Sequence, residues 1–328
     1  MLFADDDART YCNTPYLERF GRGAVPEALL ANPSASQFGI SPNGRGRSRV
    51  FLPHTSAARF ASMLVLFLLH AGLVAPSAVR PPLGLAFTPA GLLFPYYIGV
   101  GFRLRELGLL QPNTPLGGSS AGAIVAAALA CGLTETEVRS GLNRLLEDVR
   151  DGQRLNAALR KQLEVILTED AHETARAHGL SVGYLEVLPR PGRRIVSEWS
   201  SKADLIDTIA ASCNWPLFFS RWPLVWCRNA LCLDGFFAVS RARFGCPELD
   251  AERTLAITAL PRVELPAFDG VDVIRPDGFT SAPLPLGNQE WFSYALAPAE
   301  DATIDEMVVL GRTHASIWAE AQREVEQV

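Results

Sequence analysis

From residue 82 onward, apolar and polar positions fall into two alternating rhythms. Short unbroken apolar runs predict buried strands, and runs at helical spacing predict amphipathic helices. Residues 83–87 read as a short buried strand, and residues 92–110 as a helix entered after Gly91 and stopped near Pro112. Leu116-Gly117-Gly118 leads into an alanine-rich helix over 121–133, and Thr134-x-x-Glu137 is a capping-box signature for the next helix. Residues 154–177 read as one helix, charged on one face. Segments 184–188 and 194–198 flank Pro189-Arg190-Pro191-Gly192 and predict a hairpin. Residues 202–212 are helical, and 225–227 with 231–233 predict a second hairpin around Arg228-Asn229-Ala230. Strands follow at 255–259 and 271–274, and Thr303-x-x-Glu306 caps a final helix running to about Glu324. There is no internal repeat. This alternation predicts an α/β fold, a three-layer α/β/α sandwich around a mostly parallel sheet, spanning residues 81–328.

The first 80 residues follow neither rhythm. They are rich in Arg, Ser, Pro, Gly and Ala, and no acidic residue occurs between Glu27 and Glu106. Residues 32–49 read as loop or disorder, with Asn32-Pro33, Pro42-Asn43-Gly44 and alternating Arg45, Arg47 and Arg49. Residues 60–79 form an uncharged run between Arg59 and Arg80, centred on Met63-Leu64-Val65-Leu66-Phe67-Leu68-Leu69. His70, Gly72, Pro76 and Ser77 weaken its second half, against the roughly 20 predominantly apolar residues of a spanning helix. Three readings stay open: the hydrophobic part of a signal or transit sequence, a weak membrane anchor, or a buried helix, with Met63 a candidate start. The first two point to a membrane-associated or organelle-targeted intracellular protein.

Composition changes this picture by exclusion. A net charge of −5 leaves no basic footprint for nucleic acid. The six cysteines form no C-x-x-C pair and only five histidines accompany them, so no metal site and no cofactor are expected. Cys227 and Cys232 flank a short turn, yet six reduced thiols remain the simpler expectation.

The chemistry sits in Gly118-Ser119-Ser120-Ala121-Gly122, which fits G-x-S-x-G. In such an elbow a strand turns sharply into a helix, and small flanking residues let the backbone pass closely, so the serine hydroxyl stands exposed. The helix N-terminus behind it favours developing negative charge. Serine at its ordinary pKa needs a base. His172 and His178 lie on a charged helix, and His314 on the last helix reads as a surface or half-buried residue. Asp234, followed by Gly235 at the end of an apolar strand, is the better candidate.

Four blocks in this order resemble the patatin-like phospholipase family, most of all its adiponutrin-type branch. Residues 85–100 are similar to its glycine-rich oxyanion loop and following helix, and residues 118–122 to its elbow. Residues 211–219 are similar to its A-S-x-x-x-P-x-F segment, and Asp234-Gly235 to its D-G motif. The resemblance implies a patatin-like fold and hydrolysis of phospholipid or acylglycerol esters by a Ser–Asp dyad. Ser120 is then the nucleophile and Asp234 the base, with the N–H groups of Ala90, Gly91 and Ala121 forming the oxyanion hole. Pro89 and Ala90 depart from the family's glycines, Pro89 has no N–H to donate, and a positive φ at Ala90 would be strained.

Two other readings stand beside this one. One is an α/β-hydrolase esterase with a Ser120–Asp–His314 triad, and the other is an inactive lipid-binding relative, motivated by Pro89 and Ala90. Tyr96, Tyr97, Trp215, Phe218, Phe219, Trp222, Trp226, Phe236 and Phe237 lie near the matched blocks and read either as an acyl pocket with an interfacial lip or as core aromatics. The expected partners are a lipid ester and a membrane or lipid-droplet surface; oligomeric state is open.

Overall fold

A computed structural model describes residues 81–326, so every reading of residues 1–80 lies outside the described residues. In chain order the strands are β1 (Leu83–Phe87), β2 (Leu116–Gly118), β3 (Leu180–Leu188), β4 (Gly192–Val196), β5 (Val225–Cys227), β6 (Ala230–Leu233), β7 (Arg253–Ile257) and β8 (Val273–Ile274). The helices are α1 (Phe94–Glu106), α2 (Ala121–Ala130), α3 (Glu135–Arg150), α4 (Leu155–Ile166), α5 (Ala171–Ala177), α6 (Lys202–Ser212), α7 (Asn288–Ser293) and α8 (Asp301–Glu326).

One sheet runs in the order β5-β6-β3-β2-β1-β7-β8, with β4 also paired to β3. The stretch from β3 to β8 is parallel, whereas β4, β6 and β5 join through antiparallel pairs. Register explains the layers. Leu255, Leu85, Leu116 and Leu180 stand in one row across four strands, and the next row is Ala256, Ala86, Gly117 and Ser181. Successive rows face opposite sides of a sheet. The leucine side is the main core and is covered by helices, including α1, α2 and α8. The small-residue side admits chain almost to the backbone: Cys246 Sγ reaches the Ala86 carbonyl at 3.4 Å, and Leu249 lies over Gly84 and Gly117. Together with the 3₁₀ turns Gly235–Ala238 and Arg241–Arg243, this segment makes the thinner third layer.

The capping box at Thr134 and Glu137 forms as expected, with Thr134 accepting from the Glu137 N–H and Glu137 from the Thr134 N–H. Several boundaries differ: β3 begins at Leu180 rather than 184, β4 spans Gly192–Val196 rather than 194–198, and α2 ends at Ala130 rather than 133. The helix expected over 92–110 opens as a 3₁₀ turn, Gly91–Leu93, before α1. The helix expected over 154–177 is two, α4 and α5, because the Lys202 ammonium donates to the Glu164 carbonyl in the last turn of α4 at 2.8 Å. That tertiary contact ends the helix where no Gly or Pro marks a stop. The last helix begins at Asp301, so Thr303 is interior rather than a cap. The strands expected at 255–259 and 271–274 are β7 and β8, and α7 was not anticipated. Among the described residues Cys131, Cys213, Cys227, Cys232 and Cys246 are all free thiols.

Candidate active site

β2 ends at Gly118, and the chain turns through Ser119 and Ser120 into α2. Ser120 sits at φ 54°, ψ −130°, a conformation L-residues rarely adopt and which is held only by close surroundings. Both elbow glycines are sterically required. A Cβ on Gly118 would lie 2.3 Å from the Gly122 carbonyl carbon, and one on Gly122 would lie 2.4 Å from the Phe87 oxygen. The first turn of α2 therefore crosses directly over the ends of β2 and β1. Ser120 is 8% exposed. Its N–H donates to Ser212 Oγ at 2.9 Å, and Ser212 in turn donates to the Gly183 carbonyl at 2.6 Å.

Asp234 follows directly on β6 and caps the 3₁₀ turn Gly235–Ala238. It is fully buried. Its N–H donates to the Asn214 carbonyl at 3.1 Å, and Oδ1 accepts from the Phe236 N–H at 2.8 Å. Oδ2 has no partner at hydrogen-bonding geometry. Burial pushes the carboxyl up to about 7, opposed by the Phe236 N–H and by the Ser120 hydroxyl, which acts on the carboxyl without making a formed hydrogen bond to Oδ2. Gly235 brings this residue to the elbow: a Cβ there would lie 2.6 Å from Ser119 Cβ and 2.7 Å from Ser212 Oγ.

The loop after β1 carries the other expected site residues. Ala90 has φ −148° and ψ 0°, so the strain that a positive φ would bring at this residue is absent. The left-handed position falls one residue later, on Gly91 at φ 58°, where a side chain would strike the Ala295 oxygen at 2.2 Å. Leu92 donates to that oxygen and Leu93 to the Ala90 carbonyl, and the N–H groups of Ala90 and Gly91 bond to none of the described residues. A buried hydroxyl chain underlies the loop. Ala259 N–H donates to Tyr97 Oη at 3.0 Å, Tyr97 lies 2.8 Å from Thr88 Oγ1, and Thr88 donates to the Pro89 carbonyl at 3.1 Å. Thr88 has one proton and gives it to Pro89, so Tyr97 is the donor between them. A trans peptide points its C=O and N–H in opposite directions. Pinning the Pro89 carbonyl therefore aims the Ala90 N–H the other way. Ala121, the third expected donor, opens α2 beside Ser120.

His314 is fully buried, not a surface or half-buried residue. Its Nε2 lies 2.7 Å from the Ala282 carbonyl and its Nδ1 2.8 Å from Tyr96 Oη. Nε2 donates, so Nδ1 accepts from the tyrosine, and burial holds the ring below its ordinary pKa. Neither nitrogen is left for Ser120 or a carboxylate. His172 and His178 bond backbone carbonyls at α5. An apolar cleft among α2, α3 and α4, lined in part by Ile124, Ala127, Leu142 and Leu163, contains neither Ser120 nor Asp234. Among the described residues no cluster of His, Cys, Asp and Glu can hold a metal, and no helix is long and apolar enough to cross a membrane.

Sequence reading singled out the 211–219 block only as a resemblance. In the fold it is the clamp, with Ser212 holding the Ser120 backbone and Asn214 the Asp234 backbone. The support that Thr88 and Tyr97 give the loop was not legible: Tyr97 read only as a pocket or core aromatic, and its bond from the Ala259 N–H joins residues 162 apart in the chain.

Residues 85–239 match the family model described as patatin-like phospholipase, a span that includes all four blocks. The omega-hydroxyceramide transacylase of Mus musculus is 28% identical over 166 residues, 48% of this chain and 27% of its own length. The Homo sapiens protein of that name is 28% identical over 170 residues, 48% of this chain and 31% of its own. The 1-acylglycerol-3-phosphate O-acyltransferase Pnpla3 of Mus musculus is 25% identical over 245 residues, 69% of this chain and 56% of its own. The chain thus spans about half or less of the length of these relatives. The crystal structure of VipD from Legionella pneumophila aligns over 74% of this chain and 67% of its own, at TM-score 0.46 and 12% identity.

Proposed function

We propose that this chain, whose residues 85–239 match the patatin-like phospholipase family model, is a lipid acyl hydrolase that works through Ser120 and Asp234. The observation that carries the reading is a fully buried carboxyl beside the elbow, with one oxygen unpartnered and a pKa near neutrality. Such a group is poised to accept a proton at physiological pH.

In the proposed cycle Ser120 Oγ attacks the ester carbonyl carbon while Asp234 Oδ2 takes its proton. The carbonyl oxygen becomes an oxyanion facing the N–H groups of Ala90, Gly91 and Ala121. That intermediate collapses, Asp234 returns the proton to the departing alcohol, and an acyl ester remains on Ser120. Water, deprotonated by Asp234, then attacks the acyl carbon, and in the second collapse Asp234 returns that proton to Ser120 Oγ as the fatty acid is released. Replacing water by an alcohol turns the same intermediate to transacylation, the activity named for two of the relatives. Phospholipid or acylglycerol esters are the proposed substrates. A membrane or lipid-droplet surface is the proposed partner, and membrane association or organelle targeting the proposed localisation.

Fluorophosphonate labelling tests this reading, comparing wild type with Ser120→Ala, Asp234→Asn and His314→Ala, each checked for folding. The expected result is labelling lost in the first two and kept in the third. Loss in a folded His314 variant would restore the triad. A folded wild type that neither labels nor cleaves esters would make the chain an inactive relative.

A further inference from the structure

The antiparallel corner of the sheet has one covered face and one that is open beyond Gly183, where Ala238 of the 3₁₀ turn packs on it. Tyr184, Val196, Cys227 and Cys232 share the covered face, are buried, and belong to the main core on the α6 side. On the other face, register places Leu188, Leu231 and Trp226 in one row across β3, β6 and β5. Leu185 pairs with both Leu233 and Arg193, and Ile195 lies two residues beyond Arg193 on the same side. Trp226 is 62% exposed and Leu188 52%, and Ile195 is exposed as well. The loop entering β5 adds Trp222 at 72% and Leu217 at 54%. An open sheet face in water normally carries polar side chains. This one carries tryptophan and aliphatics.

Its charge has one sign. Segments 188–195 and 215–228 contain five arginines and no acidic residue. Arg194 is paired with Glu186 and Arg228 with Asp204, which leaves Arg190, Arg193 and Arg221 exposed around the apolar surface. Tryptophan with flanking arginine matches the chemistry of a bilayer interface, where the ring sits at headgroup depth and the guanidinium meets phosphate. The surface also adjoins the site. Trp215 stacks on Phe237, three residues after Asp234, with ring centroids 5.6 Å apart.

We propose that this open face is the surface by which the protein seats on a bilayer bearing anionic headgroups, bringing the Ser120–Asp234 edge to the lipid. The choice of lipid as partner rests on the hydrolase reading; the face and its charge do not.

The test uses the full chain. Binding is read on a Ser120→Ala background with vesicles of phosphatidylcholine, with and without phosphatidylserine. Trp222→Ser with Trp226→Ser is expected to lower vesicle partitioning by about tenfold. Arg193→Gln and Arg221→Gln are each expected to lower it by about fivefold, on phosphatidylserine vesicles only and less at high salt. Vesicles with brominated acyl chains should quench tryptophan fluorescence in the parent and not in Trp222→Phe with Trp226→Phe. Quenching and partitioning unchanged by both tryptophan pairs would overturn the proposal, even if the chain bound vesicles by another region. So would absent vesicle binding, or a dimer that the serine variants dissociate while partitioning stays constant. Hydrolysis of a soluble short-chain ester, measured with Ser120 intact, separates the two readings. If it is absent while the vesicle results hold, the hydrolase reading fails alone; if it persists while they fail, the docking surface fails alone.

Discussion

The parallel part of the sheet and its antiparallel corner are built to opposite standards. Between β3 and β8 both faces are covered, and small residues on one face let covering chain approach almost to the backbone. The corner made by β4, β5 and β6 is covered fully on one face, and on the other only where the 3₁₀ turn at Ala238 meets Gly183. The candidate site lies at their junction. Ser120 and the Ala90–Gly91 loop follow parallel strands β2 and β1, whereas Asp234 follows antiparallel β6. Geometry in the first region is dictated by close backbone packing, and in the second by the Ser212–Asn214 clamp that ties it to the first.

Asp234→Asn strikes the junction hardest. If the carboxyl is the base, kcat/KM for an ester should fall by about 10³ or more with the fold intact. Activity within about tenfold of wild type would sever the two regions functionally. Gly122→Ala tests the parallel half, since its methyl would lie 2.4 Å from the Phe87 oxygen. A loss of about 3 kcal/mol in denaturant unfolding is expected; wild-type stability would mean that the crossing of α2 over β1 can relax.

The pH response of Asp234 is next. Its carboxyl is raised from 3.8 to about 7, so the folded state favours the neutral form. Stability from this group is therefore fully present below pH 3.8 and lost as pH rises through 7. Thermal unfolding should show Asp234→Asn gaining on wild type as pH rises across that window, while wild-type kcat/KM climbs with a midpoint near 7. A difference in melting temperature that is flat with pH would deny the shift. Thr88→Val breaks the chain to the Pro89 carbonyl. It should lower kcat by about tenfold with KM nearly unchanged, a fraction of the effect of losing an oxyanion donor outright. The smallest effect belongs to the open corner: Leu188→Ser should change stability by no more than about 0.5 kcal/mol. A larger loss would show that Leu188 is packed rather than open.

Much of this was legible in the chain. Strand β1 and helix α6 have the limits that apolar pattern gives them, and the Thr134 capping box forms as written. The elbow was legible because its glycines and serine fall within five residues and Gly118 answers to Gly122 four residues on, although Gly122 itself answers to Phe87. The break between α4 and α5 was not, because it depends on Lys202, which lies beyond β4. His314 looked peripheral from its helix, yet Tyr96 and the Ala282 carbonyl enclose it. Local pattern and short-range sterics alone determined the α/β alternation, the sharp turn at Ser120 and the chemical types at the site. Only the tertiary structure decided what holds the Asp234 carboxyl beside the elbow, what aims the Ala90 N–H and which sheet face stays open. Those outcomes depend on burial and on hydrogen bonds between distant residues, and neither exists until the sheet has assembled.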